Sequence, residues 1–394
     1  MKRWRFLVAL GLAGCGRLRG GDDRPAARSL ADAEVKSMSV DIRREEKTIC
    51  PWQSVQMAVF ARVVVPGEGT VELETPGGAR TAPDRQVSFA EFAFHSEQGE
   101  FSQEGVFTPN PDLLVTAAAP FKIKTIYKKR PDKFSFETSY PPDYACIEAV
   151  GFEGNAGASG QSGSSGQSGQ SASSNSNTPG QNGGDGGNGS AGGAGGDGGR
   201  GPQVEAYATM VKTPFYDRLV AVIAVSGGEK KLALFDPDGP VKVYAAGGSG
   251  GAGGSGGTGG GGGAGGTGSP GGAGGKGGDG SAGGNGGRGG PGGSLVLVYD
   301  KRFPELESLI EVGAPGGAGG GGGSGGFGGS GGQYGSGWSN AAAGSPGAGG
   351  NQGQSGQSGS PGAPGTARKR AGEVAKRFAD LTGITVLAPK GKKR

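Results

Sequence analysis

The chain has 394 residues, and 93 of them are glycine, far above the usual share of roughly 7%. Hydrophobic residues make up only 33%, so one large apolar core cannot fill the chain. A net charge of +4 is too small for a dedicated nucleic-acid binder, and a single histidine leaves little general-base or metal chemistry. We therefore expect a protein that is not an enzyme and that takes no cofactor, metal or nucleic acid.

The N-terminal segment predicts export. Residues 1–14 join a basic start to a short apolar run, which is too short to span a bilayer and is typical of a signal peptide. The run ends in Leu12-Ala13-Gly14-Cys15, which resembles the lipobox of bacterial lipoproteins. The resemblance implies a lipid on Cys15, a membrane as partner, and a place at the outer membrane or cell surface, on either face. The alternative is an ordinary apolar segment with a chance cysteine.

Residues 15–32, rich in Gly, Arg, Asp and Ala, predict a flexible tether. Beyond them the sequence has two more cysteines, Cys50 and Cys146. Because an exported chain meets oxidising conditions, we expect these two to form a disulfide that joins the start and end of the first folded domain. Two separate buried thiols are the alternative.

Residues 33–150 predict an all-β sandwich, because short apolar–polar alternations are separated by Gly- and Pro-rich turns. The segment 99–109 resembles the late-strand motif of bacterial Ig-like domains, which implies a spacer or platform. The predicted strands are 35–42, 55–65, 71–73, 87–94, 113–117, 121–127 and 134–136.

From residue 151 to 367, glycine recurs at every third position in six tracts. Tracts of seven and eight triplets alternate along the chain. Neighbouring tracts of nearly the same length can pair with each other in antiparallel fashion along their whole length. The three-residue period matches the extended left-handed helix, at about 3.1 Å per residue, so each tract predicts a rod of roughly 65–75 Å. We predict a bundle of six polyglycine-II helices, which are left-handed, extended and non-α. The helices are 151–171, 180–202, 247–267, 271–294, 313–333 and 344–367.

The Gly-X-X pattern is similar to that of springtail glycine-rich antifreeze proteins and of glycine-rich phage tail-fibre tips. Collagen fits less well, because proline is sparse in the tracts. The resemblance implies a polyglycine-II bundle and, as one alternative function, ice binding. A disordered Gly-rich spacer is another alternative. Because a face against another backbone tolerates only glycine, the GGx pattern predicts burial of 183–199 and 247–333 and exposure of 154–171 and 350–358.

Three non-repetitive segments follow the second, fourth and sixth tracts: inserts 203–246 and 295–312, and residues 368–394, which end in a basic tail. Their strand-like and helix-like patterns predict a small β/α cap at the end of the bundle where the even tracts finish. Residues 231–235 and 241–244 predict a hairpin that turns at 236–239.

The opposite end of the bundle carries three loops, and the third has Tyr334, Trp338 and Asn340 among Ser and Gly. This composition is typical of binding surfaces and suits a surface glycan or a protein ligand. In the alternative, Trp338 folds over the bundle end as a plug. We expect a lipid-anchored structural rod or adhesin that presents these loops.

Overall fold

The computed structural model describes residues 29–30, 33–77 and 83–389. Most regular structure is β, and the α-helices α1 (Leu113–Thr116) and α2 (Leu306–Leu309) are one turn each. The chain forms two compact units. The first holds Val55–Phe107, Lys122–Thr138 and the described residues up to Glu45. Segments 46–54, 108–121 and 139–150, which the sequence places in the first domain, belong to the second unit with the glycine tracts.

The first unit is built from two sheets. One has the order β1-β2-β6-β5 with β3 also paired to β2, and the other has the order β4-β7-β8. Side chains from β2, β3, β4 and β7 share one buried apolar cluster. The strands are β1 (Glu34–Ile42), β2 (Val55–Val65), β3 (Gly69–Glu74), β4 (Phe92–His95), β5 (Gly99–Phe101), β6 (Val106–Pro109), β7 (Phe121–Tyr127) and β8 (Ser135–Tyr140).

One predicted strand is wrong, because residues 113–116 form α1. The carboxylate of Asp112 accepts the N–H of Leu114 at 2.9 Å, so it caps the first turn. The short apolar run therefore forms a helical turn instead of a strand. The predicted strand 87–94 also shortens: a 3-10 turn, Phe89–Glu91, precedes β4.

The second unit contains two further sheets. The larger has the order β12-β11-β10-β14-β16 with β17 paired to β10, and the smaller, all parallel, has the order β15-β13-β9. Its strands are β9 (Ala149–Glu153), β10 (Gln203–Lys212), β11 (Leu219–Ser226), β12 (Glu229–Phe235), β13 (Val241–Ala246), β14 (Ser294–Asp300), β15 (Ile310–Gly313), β16 (Thr366–Gly372) and β17 (Thr385–Val386). Strands from both inserts and side chains from the C-terminal segment share one large buried core.

The predicted hairpin is wrong. β12 pairs with β11 in the larger sheet, whereas β13 pairs with β9 and β15 in the smaller one. The turn at 236–239 therefore carries the chain from one sheet to the other. The reason is that β13 runs directly into the third glycine tract and must align with the strands that enter tracts 1 and 5.

The six glycine tracts, numbered 1–6 in chain order, are joined by backbone hydrogen bonds. Within one layer, the N–H of Gly160 in tract 1 donates to the carbonyl of Ala252 in tract 3 at 2.7 Å, and that of Gly253 donates to Gly321 in tract 5 at 2.9 Å. Tracts 2, 4 and 6 are linked side by side in the same way. The odd tracts thus form one parallel layer and the even tracts a second, antiparallel to the first.

The two layers are stitched together by bonds that continue from tract to tract. One chain of five hydrogen bonds, each 2.7 or 2.8 Å, crosses all six tracts. Each inner glycine in it donates through its N–H and accepts through its carbonyl. Its members, from donor end to acceptor end, are Gly356, Gly323, Gly284, Gly254, Gly193 and Gln161.

The strands of the two sheets continue the register of the tracts. Hydrogen-bonded partners on tracts 2 and 4 are 91 residues apart, as are the paired residues of β10 and β14. For tracts 4 and 6 and strands β14 and β16 the separation is 72. In the odd layer the separations are 93 and 69, again in both tract and sheet. Each layer is therefore one continuous array that changes from β-pairing to glycine packing.

The predicted burial pattern needs correction. Tract 2 reads GGx, yet residues 183–199 are half-buried or exposed. In tracts 3, 4 and 5 only about every third residue is buried. In 154–171 and 350–358, which the sequence predicts to be exposed, two residues in three are exposed and the glycine of each triplet is half-buried. The physical reason is that a second glycine in each triplet allows contact with one more neighbouring tract but does not by itself bury the tract. Tract 2 contacts tracts 1, 3 and 4, yet it lies at the edge of its layer and keeps one side open to solvent.

Candidate functional site

The three loops that connect the tracts meet at the end of the second unit opposite its sheets. We call this the turn end: residues 172–179, 268–270 and 334–343. Ser269 donates its N–H to the carbonyl of Thr178 at 3.0 Å, and Trp338 donates its N–H to that of Gly268 at 2.8 Å. A β-bridge also joins Gly268 to Gly337. The loops are therefore bonded to one another, and the third is bonded to the second at Gly337 and Trp338.

The aromatic side chains at the turn end face solvent. Trp338 is 54% exposed and Tyr334 is 52% exposed. A tryptophan folded over the bundle as a plug would be buried, so the structure does not adopt that alternative. Phe327, in the middle of tract 5, is even more exposed, at 69%.

Backbone conformation at the third loop is unusual. Ser339 and Asn340 follow Trp338 with φ of 49° and 68°, in the left-handed region. Asparagine tolerates this region, but for serine it costs on the order of 1 kcal/mol. Two successive left-handed residues reverse the chain directly after the tryptophan and leave Asn340 exposed.

The turn end contains no Asp, Glu, Lys, Arg or His. It offers aromatic faces, hydroxyl and amide groups, and backbone carbonyls. Such a surface stacks on flat apolar rings and hydrogen-bonds to neutral polar groups, but it has no charge with which to hold a phosphate or carboxylate. Within residues 29–30, 33–77 and 83–389, no cluster of three or more His, Cys, Asp or Glu side chains is placed to hold a metal ion.

The predicted bond between Cys50 and Cys146 is confirmed, but its predicted place at the start and end of the first domain is wrong. Cys50 and Cys146 are bonded, 96 residues apart in the chain, and both lie in the second unit. The bond is consistent with an extracytoplasmic protein. Cys15, the predicted lipidation site, lies outside the described residues. In the part of the chain that the structure describes, no helix is both long and apolar enough to cross a bilayer.

Sequence reasoning missed a structural role for the polar residues of the even tracts. Their Asn and Asp side chains accept the outward-pointing N–H of a residue on the next even tract, at 2.7–2.9 Å. Their recurrence at the third position of the triplet is the signal that could have revealed it. The pairs, acceptor first, are Asn182–Ala273, Asp185–Lys276, Asn188–Asp279, Asp197–Arg288, Asp279–Asn351 and Asn285–Gln357.

Comparison with known proteins gives little. No family model matches the chain, and no curated protein matches it. Among solved structures, the chain is similar to a springtail antifreeze protein from Granisotoma rainieri, described as a nine polyproline type II helical bundle. The identity is 29% over 50% of this chain and 94% of that chain, with a TM-score of 0.09. A TM-score this low supports neither a shared fold nor a shared function.

Proposed function

We propose that the protein is a non-enzymatic, lipid-anchored rod or adhesin of the outer membrane or cell surface, and that it contacts a glycan or protein ligand through the turn end. The observation that carries this proposal is the pair of half-exposed aromatic residues, Tyr334 and Trp338, on a loop bonded to the neighbouring turn. Anchoring through Cys15 rests on the lipobox residues and agrees with the disulfide. The first unit, with its two β-sheets, is proposed to be an Ig-like platform.

The rod in this proposal is a bundle of six polyglycine-II helices. Two features support it. The hydrogen bonds of the tract glycines run between tracts and not along them. Every described glycine with a left-handed φ lies outside the tracts, as a single extended handedness requires.

The proposal is tested by binding to immobilised neutral glycans. Trp338→Ala and Tyr334→Ala each remove a stacking face, and we expect the double variant to weaken binding by about tenfold or more. Trp52→Ala is the control, because Trp52 is also partly exposed, at 39%, but lies outside the turn end. Binding that survives the double variant, or falls equally in the control, would reject the turn end as the contact surface.

A further inference from the structure

A cleft of about 680 Å³ lies on the outer face of the larger sheet, where its strands continue into the even tracts. Its floor is formed by the first residues of β10, β14 and β16. Alternate residues of these strands face outward: Glu205 and Arg368 are exposed, whereas Val204 between Gln203 and Glu205 is buried in the core. All of the lining residues belong to the second unit.

Two cations mark the ends of one row of paired residues that crosses the cleft. Because paired residues of neighbouring strands point to the same face of a sheet, Lys230 and Arg368 both project outward with Glu205. Neighbouring strands are about 4.8 Å apart, so the row places the two cations roughly 19 Å from each other. In order across the sheet, the row is Lys230, Val225, Glu205, Val296 and Arg368.

A third cation, Arg200, stands on the side of the cleft that faces the tracts. It lies one triplet before Gln203, which lines the cleft, and this is about 9 Å at 3.1 Å per residue. Arg200, Lys230 and Arg368 are all exposed, and no ion pair among the described residues involves them. A bound anion would therefore meet unpaired positive charge from three directions.

The floor between the cations is polar and carries one negative charge. Gln203, Ser294 and Thr366 offer amide and hydroxyl groups. Glu205 lies at the centre of the row, and its carboxylate accepts the hydroxyl of Tyr207 at 2.7 Å. A sugar hydroxyl can also donate to this carboxylate, whereas a dense chain of phosphates has no proton to donate and is repelled. The cleft therefore favours a ligand whose negative charges are separated by hydroxyl groups.

Other polyanions match the cleft less well. Among the described residues that line it there is no aromatic side chain, so a nucleobase has no ring on which to stack. The nearby ring of Tyr207 already has the guanidinium of Arg377 over it, 4.5 Å from the ring centroid. A flat membrane surface does not reach the floor of a cleft, where the hydroxyl and amide groups lie.

We propose that this cleft binds an acidic polysaccharide, with Lys230 and Arg368 each holding a carboxylate and with Glu205 and the floor accepting and donating hydrogen bonds to sugar hydroxyls. A guanidinium can hold a carboxylate through two parallel N–H···O bonds, so Arg368 provides the more directional of the two contacts. The cleft lies on the sheet, at the opposite end of the second unit from the turn end. The proposal therefore does not depend on ligand binding at Tyr334 and Trp338.

Calorimetric titration with a polyuronate tests the proposal, with dextran as the uncharged polysaccharide. The full chain carries Cys15→Ser, Tyr334→Ala and Trp338→Ala, so that neither the lipid nor the turn end contributes. We expect the polyuronate to bind with an affinity that falls as salt is added, and dextran not to bind. No binding of the polyuronate, or equal binding of dextran, would overturn the proposal.

Single substitutions locate the binding in the cleft. In the same background, we expect Arg368→Gln and Lys230→Gln each to raise the dissociation constant of the polyuronate at least about fivefold, because each removes a charge-assisted contact. Lys242→Gln is the matched control, since Lys242 is equally an exposed lysine on a strand but belongs to β13 of the smaller sheet. Equal losses in the control would show that the polyuronate binds elsewhere and would contradict the proposed site.

Polyphosphate, single-stranded DNA and vesicles of anionic phospholipid separate sugar recognition from attraction to charge alone. We expect all three to bind more weakly than the polyuronate at equal charge concentration. Glu205→Gln should strengthen polyphosphate binding, because it removes the repelling charge while the amide oxygen still accepts the hydroxyl of Tyr207. If any of the three binds the chain as tightly as the polyuronate, the cleft does not select an acidic polysaccharide and the proposal is wrong.

Discussion

At the residue scale, the core of the second unit contains a buried charge, Asp300. Its carboxylate is 1% exposed and accepts hydrogen bonds from the guanidinium of Arg302, at 2.6 Å for the shortest, and from the hydroxyl of Thr209 at 2.8 Å. Burial alone would raise the pKa of Asp300. The hydrogen bonds from Arg302 and Thr209 outweigh burial and hold the pKa below its ordinary value. The ionised carboxylate therefore favours the folded state.

The first prediction concerns acid stability. Because the folded pKa of Asp300 is lowered, its contribution is present above its unfolded pKa of about 3.9 and is lost as the pH falls through the folded value. We expect Asp300→Asn to lower the free energy of unfolding by about 2–3 kcal/mol at pH 7 and to reduce its loss between pH 4 and 2. Urea denaturation across pH measures both, with Asp238→Asn, an exposed acid, as control. An unchanged acid profile would contradict this account.

Another buried polar group, the hydroxyl of Tyr144, differs from Asp300 because it has no hydrogen-bond partner among the described residues. The hydroxyl of Tyr144 forms no hydrogen bond with any described residue, and the side chain is fully buried. Its ring lies 5.4 Å from that of Tyr216, whose hydroxyl donates to the carbonyl of Pro142 at 3.1 Å. Two neighbouring tyrosines thus differ in whether the hydroxyl is satisfied.

We predict opposite effects of the same change at these two positions. Tyr144→Phe removes an unpaired buried hydroxyl and is expected to stabilise the protein by about 1 kcal/mol, whereas Tyr216→Phe removes a hydrogen bond and is expected to cost about 1 kcal/mol. Thermal or urea unfolding of both variants checks this. Destabilisation by Tyr144→Phe would show that its hydroxyl has a partner.

At the element scale, the tract pattern could be predicted from the sequence, but its meaning was only partly clear. Period and tract length indicate six paired elements because backbone-to-backbone packing excludes every side chain except hydrogen. The pattern could not show that a second glycine in each triplet marks contact with a third neighbouring tract and does not mean that the tract is buried. Tract 2 has this second glycine and three neighbouring tracts, yet it is not buried. The predicted hairpin at 231–244 is wrong for a related reason. β13 pairs in parallel with β9 and β15, whose residues are far away in the sequence, and a local turn pattern carries no information about such pairing.

The acids of the even tracts give a prediction at this scale. Asp185 accepts the N–H of Lys276 at 2.7 Å, so its role is to satisfy the backbone and not to pair with the lysine charge. We expect Asp185→Ala to cost about 1 kcal/mol, Asp185→Asn to cost little, and Lys276→Ala to cost nothing measurable. Chemical denaturation of the three variants decides. Equal losses in Asp185→Ala and Lys276→Ala would instead indicate an ion pair.

The sequence indicated which loop carries the candidate site but not the backbone conformation of that loop. Tyr334 and Trp338 stand out as aromatic residues in a loop of Ser and Gly. The sequence carries no signal for the bond from the N–H of Trp338 to the carbonyl of Gly268 or for the left-handed φ of Ser339.

At the scale of the whole molecule, each tract layer and its sheet form one array with a constant register. The sheets bury side chains, and the tracts bury almost none. Ordering a residue costs about 1–2 kcal/mol of backbone entropy, while a hydrogen bond returns only about 1 kcal/mol net. The apolar core of the sheets therefore supplies the stability on which the tracts depend, and it sets which glycine faces which.

This coupling predicts how the molecule responds to shortening. Deleting one triplet at the same level from all six tracts (161–163, 191–193, 254–256, 282–284, 323–325 and 354–356) keeps both the register and the turn end. We expect a bundle shorter by about 9 Å with little change in melting temperature.

Deleting 323–325 alone leaves tract 5 too short to reach the turn end while β15 holds its other end, so the bond from Trp338 to Gly268 must break. Hydrogen exchange should then show lost protection around Trp338 together with a lower melting temperature. If the single deletion melts like the unmodified chain, or if the matched deletion unfolds, the sheets do not set the register of the tracts.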